Sequence, residues 1–136
     1  MRADVFLDTN ILLYAASRAA AEQAKRVKAR ELLGLAAVGL SVQVLAEFYV
    51  NATAKLHLPE AQVIGVLESL EGYPVLAISE ALFWAALAIK KRHQISYWDS
   101  AILAAAAELG CHTVYSEDLN HGQCYGAVRV INPFLT

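Results

Sequence analysis

Four acidic residues of this 136-residue chain stand where an unpaired charge is costly. Asp8 directly follows the apolar run Val5-Phe6-Leu7, and Asp118 comes just after the run ending at Tyr115. Asp99 lies three and four residues before Ile102 and Leu103, which assigns it to the buried stripe of a helix at its N-terminal end. Glu47, between Val44 and Val50, lies on the margin of another helical stripe. If the runs before Asp8 and Asp118 are neighbouring parallel strands, both carboxylates share one sheet edge, the edge at which open α/β folds bind ligands. Two carboxylates about 5 Å apart repel by about 3 kcal/mol at an effective dielectric of about 20, so a cation must offset them. Hard divalent ions with oxygen ligands, Mg²⁺ or Mn²⁺, suit that role. Ions held in this way activate a water and stabilise the leaving oxygen of a phosphodiester.

Each acid also has a structural reading. Asp8, Thr9 and Asn10 are all good N-cap residues. Ser96-Tyr97-Trp98-Asp99 fits a capping box in which Asp99 bonds back to Ser96, and Glu47 can pair with a lysine such as Lys55. Spacing alone does not show that the two helices bring their acids to the strand edge. The histidines, His57, His93, His112 and His121, read as incidental; His121 is nearest the acids in sequence, yet a lone loop histidine is more often a surface residue than a general base.

The elements that must position these residues follow from patterning. Val5-Phe6-Leu7 reads as a strand buried on both faces, followed by a helix over Asn10 to Ala16. A helix over Ala20 to Leu35 and a strand over Ala37 to Leu40 come next. Ser41 caps a helix whose stripe of Val44, Phe48 and Ala52 faces the sheet, and Pro59 opens another running from Ala61 to Leu70. Val75 to Ile78 reads as a third strand, Glu80 to Arg92 and Trp98 to Leu109 as helices, and Cys111 to Tyr115 as a fourth strand. Gly122 and Gly126 are turn residues, and Val128 to Ile131 is the last strand. Strands separated by one or two helices predict a parallel sheet covered on both faces.

The length suits a single domain over residues 1–136. Apolar residues make up 57% of the chain, but the longest charge-free window, Leu32 to Ala46, has 15 residues and is too short and too interrupted to span a bilayer. The N-terminal stretch carries Asp4 and Asp8 and does not resemble a signal peptide, so a cytoplasmic location is expected, with the surplus apolar surface buried in a partner. Cys111 and Cys124 lack metal-type spacing and read as reduced thiols. The net charge of −2 conceals basic patches at Lys25 to Arg30 and Lys90 to Arg92, which suit an anionic polymer or the solvated faces of helices.

Taken together, Phe6-Leu7-Asp8-Thr9-Asn10, the helical Glu47, Tyr97-Trp98-Asp99-Ser100, Tyr115-Ser116-Glu117-Asp118-Leu119-Asn120-His121-Gly122 and Asn132-Pro133-Phe134 resemble a PIN-domain ribonuclease of the VapC toxin type. The resemblance covers essentially the whole chain. It implies a three-layer α/β/α sandwich with a mostly parallel sheet of about five strands. It also implies that Asp8, Glu47, Asp99 and Asp118 bind Mg²⁺ or Mn²⁺, with Asn10 and Ser116 as polar support, and that the substrate is RNA. A homodimer and a cognate antitoxin whose tail enters the active-site groove are further implications. Two other classes also place carboxylates or charged patches on such a fold. Phosphoryl-transfer domains of the aspartyl-phosphate kind need a second Asp where Asn10 stands, or an Asp ending the third strand where Ile78-Ser79 stands. A non-catalytic binding module has no use for four acids at one edge.

Overall fold

The computed structural model describes residues 1–135. Its strands are β1 (Val5–Leu7), β2 (Val38–Ser41), β3 (Val75–Leu76), β4 (Thr113–Tyr115), β5 (Cys124–Tyr125) and β6 (Val128–Ile131). The helices are α1 (Thr9–Ala16), α2 (Gln23–Leu33), α3 (Val42–Ala54), α4 (Glu60–Ser69), α5 (Glu80–His93) and α6 (Tyr97–Glu108). The strand order is β3-β2-β1-β4-β6-β5, and every pairing is parallel except that of β5 with β6.

The order explains the layers. Right-handed crossovers from β1 to β2 and from β2 to β3 put α1 to α4 on one face, where α1 packs against α2 and α3, and α3 against α4. The return from β3 to β4 runs the opposite way and puts the α5–α6 pair on the other face. The direction of winding therefore reverses at β1, the topological position at which such sheets open a crevice beyond the strand ends. Phe6, Leu7, Leu40, Val114 and Val130 are fully buried in the central strands, with Ile11, Val44, Phe48 and Leu103 packed over them.

Local chemistry sets the boundaries. Ser41, Ser79 and Ser96 each accept a hydrogen bond from a backbone N–H three residues on and cap α3, α5 and α6. Gly39 lies in β2 with space for no side chain: a Cβ there would sit 2.8 Å from both Ala3 Cβ and Leu109 Cδ1, so α6 approaches the sheet closely at this point.

Several expectations are revised. The sheet has six strands rather than five, because Gly126, at φ +62°, turns the chain so that Cys124 and Tyr125 pair back on Arg129 and Val128. The third strand covers only Val75 and Leu76 because its partner β2 ends at Ser41, where the chain turns into α3, leaving Ala77 and Ile78 nothing to pair with. The second strand begins at Val38, since Ala37 adopts a left-handed turn, at φ 57°. The helix expected from Ala20 opens with a single 3₁₀ turn at Ala20–Glu22 before α2. Both cysteines are free, and burial pushes the Cys111 thiol up to about 11.

Candidate active site

The register of β1 and β4 pairs Leu7 with Tyr115, so the next residue on each strand, Asp8 and Ser116, emerges at the same edge. Asp8 N–H donates to the Tyr115 carbonyl at 3.0 Å, and Ser116 Oγ donates to Asp8 Oδ2 at 2.7 Å. The other oxygen, Oδ1, accepts from Thr9 N at 2.7 Å and caps α1. Capping and a place at the site are thus not alternatives for Asp8, because each uses a different oxygen.

Asn10, in the first turn of α1, ties this edge together. Its Nδ2 lies 3.4 Å from Asp8 Oδ2, 3.4 Å from Ser116 Oγ and 3.2 Å from Asp118 Oδ2, while its Oδ1 accepts from Glu117 N at 3.2 Å. Ser116 Oγ accepts from Asp118 N at 3.1 Å and from Leu119 N at 3.3 Å, which turns the chain after β4 back over the site. Behind that turn Glu117 is held by the Tyr14 hydroxyl and by Lys25, whose ammonium lies over the Tyr14 ring at 4.7 Å. Burial acts to raise the Glu117 carboxyl, but the Lys25 and Tyr14 hydrogen bonds outweigh it and hold the group below its ordinary range.

The remaining acids arrive on helices from opposite faces of the sheet. Glu47 of α3 accepts from Thr9 Oγ1 at 2.9 Å and from Gln43 Nε2 at 3.4 Å. Asp99 stands in the first turn of α6, where its backbone N–H donates to Ser96 Oγ at 3.0 Å. Among the described residues the Asp99 carboxylate accepts no hydrogen bond, so the expected capping box forms in one direction only. Glu47 is not ion-paired with Lys55; the ion pairs among the described residues are Lys25–Glu117 and Lys28–Glu31. Asp8, Glu47, Asp99 and Asp118 all line one cleft of about 280 Å³, with Lys55 on its wall.

The electrostatics of this cleft are those of an acid cluster short of positive charge. The Asp8 carboxyl is pushed up to about 6, first by burial and then by the charges of Asp118 and Glu47, against the hydrogen bonds from Ser116 and Thr9 that favour its anion. Among the described residues no three His, Cys, Asp or Glu side chains are drawn together at ligating distance. The donor set nevertheless fits a magnesium-type ion: it is all oxygen, it borders a space with room for water, and Mg²⁺ keeps several waters while taking only one or two carboxylates directly.

Gln43, Asn51 and Lys55 also line the cleft and were not anticipated. Their signal lies in the i, i+4 series 43, 47, 51 on α3, continued by Lys55 at its C-cap and one residue ahead of the apolar series 44, 48, 52. Much of the first basic patch serves the fold, since Arg26 donates to the Ser17 carbonyl and Arg30 to that of Ala15. Lys90, Lys91 and Arg92 are in the last turn of α5, where cations favour the helix dipole. His121 Nδ1 accepts from Asn132 N at 2.9 Å, which gives this loop histidine a structural role.

A reversal of strand order at β1, with acids from the ends of two strands and from two helices around one cleft, defines an α/β fold with a polyanionic edge. The sequence profile of the PIN domain matches residues 5–125, and the chain belongs to that family. No curated protein matches it. Among solved structures, the VapC20 toxin of Mycobacterium tuberculosis, described as cleaving the sarcin–ricin loop, is similar with a TM-score of 0.69 at 18% identity, over 85% of this chain and 90% of its own. A toxin–antitoxin complex from Klebsiella pneumoniae gives 0.72 at 20% identity, over 96% of this chain and 98% of that one. The DNA-bound VapBC complex of Salmonella typhimurium gives 0.68 at 18% identity, over 96% and 97%. At these identities the likeness establishes the shared fold.

Proposed function

We propose that the chain is a metal-dependent endoribonuclease that hydrolyses RNA phosphodiester bonds, and that it is the toxin of a toxin–antitoxin pair. The observation that carries this reading is that Asp8, Glu47, Asp99 and Asp118 line one cleft of a PIN fold, with the Asp8 carboxyl raised first by burial and then by the Asp118 and Glu47 charges. These four would hold Mg²⁺ or Mn²⁺, and the bound ion supplies an activated water and stabilises the leaving oxygen. The protein's own part is positional. Ser116 and Thr9 N orient the Asp8 oxygens, Asn10 holds Asp118 beside them, and Thr9 Oγ1 with Gln43 aims Glu47 from the far wall.

The chain acts as one nuclease domain over residues 1–136, in the cytoplasm, and no helix among the described residues is long and apolar enough to cross a membrane. A second copy of the chain and a cognate antitoxin are its protein partners. Exposed Phe83 and Trp84 on α5 supply apolar surface for such contacts, and solved relatives described as VapBC or toxin–antitoxin complexes support this.

The test is incubation of purified protein with total RNA in Mn²⁺ or in EDTA, beside Asp118→Asn. Cutting that needs the metal and is lost in the variant is the expected result. Cutting that survives EDTA and the substitution together overturns the assignment.

A further inference from the structure

Against the acidic cleft runs a second groove of about 350 Å³ that shares Gln43, Glu47, Asn51 and Trp98 with it and is otherwise apolar, walled by Val50 and Ile78. The Trp98 side stands at the junction of the two: the residue is 61% exposed, propped by the Tyr97 ring at 5.0 Å, and its carbonyl accepts from Gln43 Nε2 at 3.2 Å. Gln43 itself is only 7% exposed, which is unusual for an amide at the mouth of a cleft. Its NH₂ group is committed to two acceptors, the Trp98 carbonyl and Glu47 Oε1, and this settles which way the amide points. Its Oε1 accepts no hydrogen bond among the described residues, and no buried side-chain polar atom there lacks a partner, so this oxygen is an acceptor open to solvent on a side chain that lines both cavities.

We infer that this groove is the subsite for a nucleobase adjoining the phosphodiester in the acidic cleft. The Trp98 indole stacks on the base, and Gln43 Oε1 accepts a hydrogen bond from its exocyclic amine. This inference rests on the ribonuclease reading and adds a base preference to it. Single-stranded RNA is commonly read by aromatic stacking and by hydrogen bonds to base edges. An acceptor is complementary to the amines of cytosine, adenine or guanine, whereas uracil carries a carbonyl where cytosine carries its amine. The apolar wall of Val50 and Ile78 suits the faces of a flat ring and does nothing for a second phosphate.

The chain has two tryptophans, so Trp84→Phe makes Trp98 the sole indole reporter. Binding of short oligocytidine and oligouridine to this variant is read by fluorescence quenching with Ca²⁺ in place of the catalytic metal. We expect saturable quenching that is at least about fivefold tighter for oligocytidine. In a filter-binding assay, which needs no indole, Trp98→Ala should weaken oligocytidine binding by about 5- to 150-fold and raise KM for cleavage while changing kcat little, and Trp98→Phe should restore most of the loss. Gln43→Leu should erase the cytosine preference without abolishing binding. Equal quenching by the two oligomers, or a Trp98→Ala protein that binds and cuts as wild type does, overturns the subsite. If Trp98→Ala spares RNA but abolishes association with the antitoxin, the groove belongs to a protein partner and the inference falls. Failure of the wild type to cut any RNA removes the ribonuclease reading instead, and base-selective quenching in that case still supports the subsite.

Discussion

Ser116 Oγ donates a 2.7 Å hydrogen bond to Asp8 Oδ2 across the seam between β4 and β1, joining residues 108 positions apart. The same hydroxyl oxygen receives the Asp118 and Leu119 N–H groups. One small side chain thus stabilises a buried carboxylate on one strand and shapes the turn that carries a second acid from the next.

Removing that hydroxyl should be costly. Ser116→Ala leaves Asp8 Oδ2 with only the 3.4 Å contact to Asn10, strips two backbone donors of their acceptor, and should lower stability by about 1–3 kcal/mol at neutral pH. The Asp8 carboxyl should then titrate above its present value of about 6, because a hydrogen bond favouring the anion is gone. Urea denaturation and a carboxyl NMR titration measure the two effects. A stability change smaller than about 0.5 kcal/mol would show that water replaces the hydroxyl without penalty.

The raised Asp8 carboxyl sets the sign of a pH effect in metal-free protein. Between the ordinary 3.8 and about 6 the folded state binds the proton more tightly than the unfolded chain does. This group's contribution therefore favours folding at low pH and is lost progressively as pH rises through that window. The difference sets a ceiling of about 3 kcal/mol. Denaturation in EDTA at pH 4.5 and pH 7, wild type against Asp8→Asn, should show a wild-type decline that the variant lacks. Adding Mn²⁺ at pH 7 should restore stability to the wild type alone. A variant whose decline matches the wild type would trace the pH effect to other groups.

Asp99→Asn separates a structural from a functional role. The helix cap uses the backbone N–H of residue 99, which the substitution keeps, and the carboxylate accepts no hydrogen bond among the described residues. Stability in EDTA should therefore change by no more than about 1 kcal/mol, the size of a helix-dipole effect, while RNA cleavage in Mn²⁺ falls at least about a hundredfold. Thermal melts and a cleavage time course decide the matter. A badly destabilised variant with normal cleavage would return Asp99 to the role of a cap.

The elements around the site were legible because their signals are local. Val5-Phe6-Leu7 is apolar at every position, as a central parallel strand must be, and the serines before α3, α5 and α6 mark their starts. What local signals missed is what depends on a partner. Cys124-Tyr125 is too short to register as a strand and is one only because Val128 and Arg129 lie opposite. Ala77 and Ile78 look like strand residues and are not, because β2 has already ended. The apolar stripe of α3 drew attention to Val44, Phe48 and Ala52, and so hid the polar stripe beside it, on which Gln43 and Asn51 reach the cleft.

By itself, the amino-acid sequence determined the kind of sheet, the strand ends that carry Asp8 and Asp118, and the acidic, oxygen-only character of the site, since these follow from residue type and short-range periodicity. Only the tertiary structure decided that Glu47 and Asp99, on helices from opposite faces, meet at that edge, that Asn10 bridges Asp8 and Asp118, and that Gln43 keeps a free acceptor beside Trp98. The physical reason is distance along the chain. A contact such as Thr9 Oγ1 with Glu47, 38 residues apart, or Asn10 with Asp118, 108 apart, is set by strand order and crossover handedness, and no periodicity within a helix or strand encodes these.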